Sequence, residues 1–437
     1  MSADLEEMKK DYAFWSALAG PKGFIEKHIP DLVYILISFC KNLILYIRDA
    51  HVKTAVNQKQ YDLIYIALTV NQARAIHGWS DKIEIDSQAV FGNVINFDIH
   101  VPVGEIAKKA LFLTWSTYKL IVSEKKHKCE IKYIDQFIRY RAMKIIFSKI
   151  IERNKPKIVV LSNDHSGESR AIIRLCQRYN IKTIYTQHAP VGKIFPSLEF
   201  DVSLLDGLQA IDAYSKNIPL GNVIVTGRVR NSLELNFNIN KSYIAVALNE
   251  LDSVLCWIRL LKKIKKDNRI KLRPHPADKR KFIWKIVCRL IGLEYSDVSL
   301  HKFINESKLL ISGLSGIILD ASVAGVPCIM YLPKKLYLKY GDYYLYEKYE
   351  LCRIFYTYEE AMEKLIASCQ VAPKKSTLSF DAGFIMDPDI CKAYVVNRYI
   401  GSLINNEKFK LEEGWVLQRQ FGIQFWAHKN YLQSIYE

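Results

Sequence analysis

The chain of 437 residues has no apolar run long enough to predict a membrane-spanning helix. Its most apolar stretch, residues 32–47, is interrupted by Lys41 and Asn42. A spanning helix needs about 20 apolar residues, which this stretch does not supply. Residues 1–12 show no charged region followed by an apolar core. We therefore expect a cytoplasmic protein in which residues 32–47 form a buried or interfacial helix.

The nine cysteines are scattered, and none has the CxxC or finger spacing of a redox pair or zinc site. Several lie inside apolar runs. This pattern predicts reduced, mostly buried thiols and excludes the disulfide-rich secreted class.

Acidic residues are fewer than basic ones. The chain has 45 Asp and Glu and 62 Lys and Arg, which gives a formal net charge of +17. Such an excess favours a polyanionic partner, namely nucleic acid, acidic lipid headgroups or an acidic polymer. The chain shows no recognisable nucleic-acid-binding module, so we do not expect nucleic acid.

Short apolar runs alternate with amphipathic helical segments over most of the chain. KIVVLS (157–162) is a predicted strand, residues 166–180 have apolar side chains at helical spacing, and residues 181–187 are a strand again. A second series of the same kind begins at 243–249. The pattern predicts an α/β protein with two Rossmann-like domains.

The predicted organisation adds helices at both ends of these two domains. Residues after 387 are expected to be helical and to cross back onto the first domain. The predicted limits are 1–57 for an N-terminal helical extension, 58–225 for the first, acceptor-side domain, 226–385 for the second, nucleotide-donor domain, and 386–437 for the returning helices.

One candidate site follows the predicted strand 269–274, which ends in Arg273-Pro274-His275-Pro276. Proline lacks an N–H and restrains the residue before it, so Arg273 and His275 are held at the end of the strand. A guanidinium and an imidazole side by side suit a phosphate leaving group. The alternative is a rigid loop with a surface arginine.

A second candidate is the turn from the strand 308–313 to the helix 315–324. It contains small residues and hydroxyls that suit a bound phosphate, although such a turn can equally be a plain helix cap. Asp320 can be a ligand or a structural partner, and Arg228 offers a cation at the start of the second domain. The predicted nucleotide-binding residues are Arg228, Arg273, His275, Pro276, Ser312, Gly313, Ser315, Gly316 and Asp320.

The first half of the chain places polar residues at two strand ends. Asp164 and His165 follow the strand 157–162, and His188 follows the strand 181–187. Asp164 is a candidate general base or a helix cap, and the two histidines are alternatives for the base or for phosphate contact. We take Asp164, His165 and His188 as the catalytic candidates.

Four segments together resemble a known family: QHAPVGKIFP (187–196), VTGRVR (225–230), LRPHP (272–276) and SGLSGIILDASVAGVP (312–327). They are similar to the GT-B glycosyltransferases of bacterial surface-polysaccharide assembly. The resemblance is greatest to the group of capsule Kdo transferases, polysialyltransferases and teichoic-acid glycerophosphotransferases.

This resemblance implies phosphate contact for His275 with Ser312 and Ser315 beside it. His188 matches the histidine of a Gln-His-Gly-like element, although Ala189 replaces the glycine. The Asp-Asp-Gly or Glu-Asp-Gly base motif of the sialyltransferases has no convincing counterpart in this chain. Asp164 is therefore a candidate general base because of its position after a strand, not because of a motif.

The resemblance implies transfer of a sugar from a nucleotide-activated donor, CMP-linked and of the Kdo or sialic type, to a hydroxyl of a bacterial surface glycan. No DxD motif lies at a strand end, so we expect a metal-independent enzyme without a cofactor. The alternatives are a CDP-glycerol or CDP-ribitol polyol-phosphate transferase, a nucleotide-sugar epimerase, and a non-catalytic basic protein that binds glycan or nucleic acid.

Basic clusters at 125–128, 262–266, 279–281 and 334–335, together with the apolar segment 32–47 and the aromatic run 343–346, suit a protein on an anionic leaflet. The expected location is the inner face of the cytoplasmic membrane, with a nucleotide-sugar donor and a glycan or lipid-linked glycan acceptor as partners.

Overall fold

A computed structural model describes most of the chain. The described residues are 30–49, 55–56, 59–85, 87–92, 98–123, 133–229, 242–250, 252–265, 268–276, 278–356, 366, 369–412 and 414–436. The helices predicted before residue 30 and the basic run 125–128 lie outside these ranges.

The first half of the chain builds strands and helices in alternation. Its elements are α1 (Asp31–Arg48), β1 (Ala55–Val56), β2 (Leu63–Ala67), α2 (Val70–Ile76), β3 (Gln88–Gly92), β4 (Ile99–His100), α3 (Val103–Ser123), α4 (Ile134–Asn154), β5 (Ile158–Leu161), α5 (Gly167–Arg178), β6 (Lys182–Thr186), β7 (Val202–Leu205), α6 (Leu208–Ala213) and β8 (Asn222–Val225).

These strands form one sheet in the order β1-β4-β3-β2-β5-β6-β7-β8. All neighbours from β4 to β8 are parallel, and only β1 pairs antiparallel with β4. Strands β2, β5 and β7 are buried along their whole length, as expected for a parallel sheet covered on both faces.

The second half builds a smaller sheet. Its elements are β9 (Tyr243–Leu248), α7 (Val254–Ile264), β10 (Ile270–Pro274), α8 (Lys281–Ile291), β11 (Glu294–Tyr295), α9 (Leu300–Asn305), β12 (Ser307–Ser312), α10 (Ile317–Val323), β13 (Cys328–Tyr331), α11 (Lys334–Tyr340) and β14 (Arg353–Phe355). The order is β11-β10-β9-β12-β13-β14, and every pair is parallel. Counted from β9, this is the doubly wound 3-2-1-4-5-6 order.

The chain then returns to the first sheet. The returning elements are α12 (Lys374–Phe380), α13 (Pro388–Ile404), β15 (Trp415–Gln420), β16 (Ile423–His428) and α14 (Lys429–Tyr436). Helix α13 starts with Pro388 after the cap Asp387, whose carboxylate accepts hydrogen bonds from two backbone N–H groups of the first turn. Its apolar side packs on the first sheet through Val396 and Tyr399.

The prediction that the segment after residue 387 is entirely helical is wrong in part. β15 and β16 form an antiparallel hairpin that joins the first sheet beside β8. Phe421 and Gly422 form its turn, both with positive φ (51° and 79°), which matches the twist of a two-residue hairpin. The sequence signals of this hairpin are Gly422 and the apolar residues at every second position, Ile423, Phe425 and Ala427, which are buried in the structure.

The fold class is confirmed as two Rossmann-like α/β domains that face a central cleft, with the C-terminal segment crossing back. In both sheets the strand order reverses at one point, between β2 and β5 and between β9 and β12. Open parallel sheets bind ligands outside the carboxyl ends of the strands at that point. The exact domain limits stay a prediction.

None of the helices in the described ranges combines the length and apolarity that a bilayer crossing needs. The eight cysteines in the described ranges are free, and Cys176, Cys288, Cys328 and Cys352 are buried.

Candidate active site

A cavity of about 570 Å³ lies between the two sheets, at the carboxyl ends of their strands. Among the described residues, its walls carry three arginines and three histidines against one carboxylate, that of Asp320. Cavities of this size hold nucleotide-sized ligands, and the excess of cationic groups favours an anion. The lining side chains used below are Asn71, Arg74, His188, Pro190, Arg228, Arg273, His275, His301, Ser315, Gly316, Asp320 and Tyr344.

The end of β10 forms the floor on the second-domain side. The backbone N–H of His275 donates to the carbonyl of Leu248 (2.7 Å), which fixes the residue beside β9. Arg273 is anchored by a hydrogen bond from Nε to the Val298 carbonyl (3.3 Å). Burial lowers the pKa of this guanidinium from its usual value. The predicted set Arg273, His275 and Pro276 therefore lies together in the cavity wall.

The turn after β12 divides into two parts. Ser315 and Gly316 line the cavity, and a Cβ added to Gly316 would lie 3.8 Å from the Pro190 ring of the first domain. Ser312 is fully buried and donates its hydroxyl hydrogen to the Ala247 carbonyl (2.9 Å). Gly313 packs against Asp252. Ser312 and Gly313 hold the turn from behind and do not line the cavity.

Arg228, in the segment after β8, is held by two carboxylates. Its Nη1 lies 3.3 Å from Asp320 Oδ1 on α10, and its backbone N–H donates to Asp381 Oδ1 (2.9 Å). Burial alone would lower the pKa of Arg228, but the carboxylates of Asp320, Asp206 and Asp381 outweigh it and raise the pKa. Arg228 is a permanent cation in the cavity wall.

His188 lies in the loop after β6, which Gln187 shapes. Gln187 Nε2 donates to the Ala189 carbonyl (2.9 Å) and its Oε1 accepts from the Asp206 N–H (3.0 Å). Burial, and then repulsion from His165, lower the pKa of His188 to about 4. His188 Nδ1 has no hydrogen-bond partner among the described residues. The ring is therefore a neutral imidazole at neutral pH.

Asp164 and His165 form a hydrogen-bonded pair beside this loop. The Asp164 carboxylate is buried, 2.8 Å from His165 Nδ1, and it also accepts a longer hydrogen bond from the Tyr214 hydroxyl (3.4 Å). The His165 ring lies against Phe195, with 5.0 Å between ring centroids. The pair is close enough to influence the pKa of His188, although neither residue lines the cavity itself.

The turn that carries this pair is built by Asn163 and Ser166. Asn163 Oδ1 accepts from the N–H groups of His165 and Ser166 (2.9 Å each). Ser166 caps helix α5 by accepting from Ser169 N–H (3.2 Å). The capping role considered for Asp164 therefore belongs to Ser166. The Asp164 carboxylate instead contacts His165 Nδ1 and orients the imidazole ring.

Within the described ranges, no group of three or more His, Cys, Asp and Glu side chains is placed to hold a metal ion.

No family model matches the chain, and no curated protein sequence matches it. Solved structures do resemble it. A putative UDP-N-acetylglucosamine 2-epimerase from Listeria monocytogenes is 12% identical over 81% of this chain and 99% of its own, with a TM-score of 0.48. The wall teichoic acid polymerase TagF, soaked with CDPG, is 11% identical over 85% of this chain and 97% of its own, with a TM-score of 0.42.

A third similar structure is the lipopolysaccharide outer core galactosyltransferase WaaB. It is 10% identical over 78% of this chain and 99% of its own, with a TM-score of 0.38. Similarity at this level does not assign a substrate to the chain.

The cavity includes residues that the sequence did not single out. Asn71 and Arg74 come from α2, directly after β2, at the point where the first sheet reverses its strand order. His301 comes from α9, and Tyr344 from the loop after α11. The available signal was the position of residues 69–76 after the buried strand β2. No local motif marks His301. Tyr344 belongs to the aromatic run 343–346, which was expected to suit a lipid surface, but Tyr343, Leu345 and Tyr346 are buried.

Proposed function

We propose that this protein transfers a sugar from a nucleotide-activated donor to a hydroxyl of a bacterial surface glycan. The observation that carries the proposal is the cation-rich cavity between two Rossmann-like sheets, with its walls at both strand-order reversals. The sequence resemblance supplies the donor class, a CMP-linked sugar of the Kdo or sialic type. The proposal includes neither a bound cofactor nor a bound metal.

The second domain supplies the leaving-group half of the site. Arg273 and His275 line the wall beside the turn Ser315-Gly316, and Arg228 adds a permanent positive charge. A departing nucleotide carries negative charge on its phosphate, and fixed cations and N–H donors stabilise that charge as it develops. This is the chemical role that the arrangement suits best.

The first domain supplies the acceptor half. The acceptor oxygen attacks the anomeric carbon of the donor, the bond from that carbon to the phosphate oxygen breaks, and the nucleotide leaves with the electron pair. His165 does not line the cavity, but its ring is partly exposed beside the His188 loop. The hydroxyl proton of an acceptor that extends past this loop passes to His165, whose other ring nitrogen is held by Asp164 at 2.8 Å. A carboxylate behind an imidazole orients the ring and stabilises its protonated form. Neutral His188 contacts the substrate from the cavity wall.

A donor panel tests this function. The protein is incubated with CMP-, CDP- and UDP-linked donors with and without a glycan acceptor, and nucleotide release is measured. We expect release of CMP from a CMP-sugar only when the acceptor is present. Turnover of CDP-glycerol or CDP-ribitol alone would replace sugar transfer by polyol-phosphate transfer. A changed sugar without any acceptor would instead show an epimerase.

A substitution ties the activity to the cavity. His275→Ala is expected to lower kcat/KM by about 10²-fold to 10³-fold, as for a lost donor to a developing charge. Lys279→Ala, an exposed cation nearby that does not line the cavity, is the matched control and should leave activity unchanged. Equal activity of the two variants would refute the phosphate role of His275.

We also propose a cytoplasmic location at the inner face of the membrane, where lipid-linked acceptors are presented. The exposed apolar side chains of α1, among them Leu32, Ile44 and Ile47, support this location.

A further inference from the structure

The returning helix α13 places a lysine side chain inside the first domain. Lys392 is 0% exposed, whereas Ile390 on the same helix is 58% exposed. Lys392 Nζ donates a hydrogen bond to Oγ1 of Thr186, the last residue of β6 (3.0 Å). Burial of an ammonium group costs free energy unless anions and hydrogen-bond acceptors surround it. One threonine hydroxyl does not meet that cost, so the surroundings of Lys392 need further anionic groups.

Three aspartates supply these anionic groups. Burial lowers the pKa of Lys392, and the carboxylates of Asp206, Asp381 and Asp389 act against this effect. Asp206 and Asp381 are themselves buried, at 3% and 0% exposed. Buried carboxylates need cations nearby, and Lys392 in its ammonium form is one such cation.

Arg228 is a second cation near the same two aspartates. The carboxylates of Asp206 and Asp381 contribute to the raised pKa of Arg228. Asp381 Oδ1 also accepts a hydrogen bond from the Arg228 N–H (2.9 Å). Arg228 lines the cavity and Lys392 does not. The two aspartates are therefore shared by one cation in the cavity wall and one cation buried in the first domain.

Hydrogen bonds from the backbone fix the positions of these two aspartates. The Asp206 N–H donates to Gln187 Oε1 (3.0 Å), and the Ala382 N–H donates to the Asp206 carbonyl (2.8 Å). Asp381 Oδ1 accepts from the Gly383 N–H (2.7 Å). Because these bonds hold both aspartates, they stay at this position when a nearby counter-charge is lost.

The charges around Arg228 show what Lys392 contributes. Three carboxylates act on this one guanidinium, an excess of two negative charges. They belong to Asp206, Asp320 and Asp381. A phosphate in the cavity is repelled by this excess, and Lys392 offsets one of the negative charges from the inner side. Such charge effects are strong where burial lowers the local dielectric constant.

We propose that Lys392 is a positioning residue for phosphate binding in the cavity. Its charge is shared with Asp206 and Asp381, which leaves more of the Arg228 charge available to the ligand. The role rests on the proposed function in one respect, namely that the phosphate belongs to a nucleotide donor. It makes α13 part of the nucleotide site, although none of its described residues lines the cavity.

Calorimetric titration of the full chain with CMP and with cytidine tests this role. Lys392→Met should lower the affinity for CMP by about ten-fold, because a buried unit charge near the phosphate is lost. Cytidine has no phosphate, so its affinity should change by less than about two-fold. An equal loss for both ligands would overturn the proposal, since it would show a distorted cavity instead of a lost charge.

Removal of one carboxylate should compensate for the lost lysine. The double variant Lys392→Met with Asp206→Asn has the net charge of the native chain and should bind CMP within about three-fold of it. A double variant that binds CMP as weakly as the single variant would overturn the proposal. If Lys392→Met does not fold, Asp206→Asn alone is decisive. It should strengthen CMP binding, and weaker binding with unchanged cytidine affinity would overturn the proposal.

The control variant is Lys144→Met. Lys144 is 8% exposed on α4 and does not line the cavity. Loss of this buried lysine should lower the melting temperature and leave the affinities for CMP and cytidine unchanged. A loss of CMP affinity equal to that in Lys392→Met would overturn the proposal, because it would assign the effect to the removal of any buried lysine.

Inorganic pyrophosphate separates this proposal from the proposed function, because it carries phosphate charge without a base or a sugar. If the native chain binds pyrophosphate but not CMP, and Lys392→Met weakens that binding, the CMP-linked donor is wrong and the role of Lys392 stands. If the native chain and Lys392→Met bind CMP equally, the role of Lys392 is wrong and the donor class stands. A native chain that binds neither anion would contradict both.

Discussion

Arg228 and Asp320 form an ion pair in the cavity wall, with 3.3 Å between Nη1 and Oδ1. Arg228 follows the last strand of the first-domain series, and Asp320 lies on α10 of the second domain. Asp381 of the returning segment holds the backbone of Arg228 at the same point. The pair therefore fixes a cation where the two domains and the returning segment meet.

This pair predicts opposite outcomes for two substitutions. Arg228→Met removes one arginine of the cavity wall and leaves the carboxylates of Asp206, Asp320 and Asp381 without its charge. Nucleotide affinity and the free energy of unfolding should both fall, the latter by about 2 kcal/mol or more. Asp320→Asn keeps the shape and the cation, so nucleotide affinity should be retained or increased. Titration calorimetry with CMP and urea unfolding measure both. An equal loss of affinity in both variants would contradict the role of Arg228.

His188 predicts a pH dependence of stability. Its pKa is about 4 in the folded protein against an ordinary value of 6.5, because burial disfavours the charged ring. The unfolded chain binds more protons between these values, so the contribution is complete above pH 6.5 and is lost as pH falls towards 4. The free energy of unfolding, measured by urea titration at each pH, should fall by roughly 2–3 kcal/mol across that window.

The control for this prediction is His188→Asn, which cannot titrate. The slope between pH 6.5 and 4 should become shallower in that variant. An unchanged slope would assign the pH dependence to other groups.

The Asp164–His165 pair predicts a loss of rate without a loss of donor binding. Asp164→Asn removes the carboxylate behind the His165 ring, and kcat should fall by about 10²-fold or more. Tyr214→Phe removes only the longer 3.4 Å hydrogen bond and should lower kcat by less than about ten-fold. Steady-state kinetics and CMP binding of both variants separate the two effects. A kcat near the native value in Asp164→Asn would rule out this base.

Two glycines of the β12–α10 turn predict different effects of the same added methyl group. A Cβ at Gly313 would collide with the buried carboxylate of Asp252, which accepts a hydrogen bond from the Asn249 N–H (2.7 Å). Gly313→Ala should therefore destabilise the fold by about 1–3 kcal/mol.

Gly316→Ala is the matched comparison. Its added Cβ has ordinary contact distances of 3.8 Å or more to Pro190, so thermal melting should show almost no loss of stability. If activity falls in this variant, the backbone of Gly316 approaches the ligand. Equal melting temperatures for the two variants would contradict the packing described for Gly313.

The sequence predicted those features that depend on local periodicity. Apolar runs such as 157–162 and 243–249 became buried parallel strands because such strands are covered on both faces. The strand end Arg273-Pro274-His275 was placed in the cavity because carboxyl ends of parallel strands meet at one edge.

Other features depend on contacts between distant segments and were not predictable in this way. Ser312 looks like a phosphate ligand in sequence, but its hydroxyl is used by Ala247 of the neighbouring strand. The sequence suggests that Asp164 is an unpaired general base, but its carboxylate is hydrogen-bonded to His165 and to Tyr214, which is fifty residues further along the chain. Arg74 lines the cavity because α2 follows β2, one of the two strands between which the strand order of the first sheet reverses.

In the proposed reaction a nucleotide binds between the two sheets with its phosphate on Arg273 and His275. The most direct test is a crystal of the protein soaked with CMP. We expect the nucleotide in the cavity, with phosphate oxygens within hydrogen-bonding distance of the His275 ring and the Arg273 guanidinium. A nucleotide bound elsewhere, or one whose phosphate points away from both side chains, would contradict it.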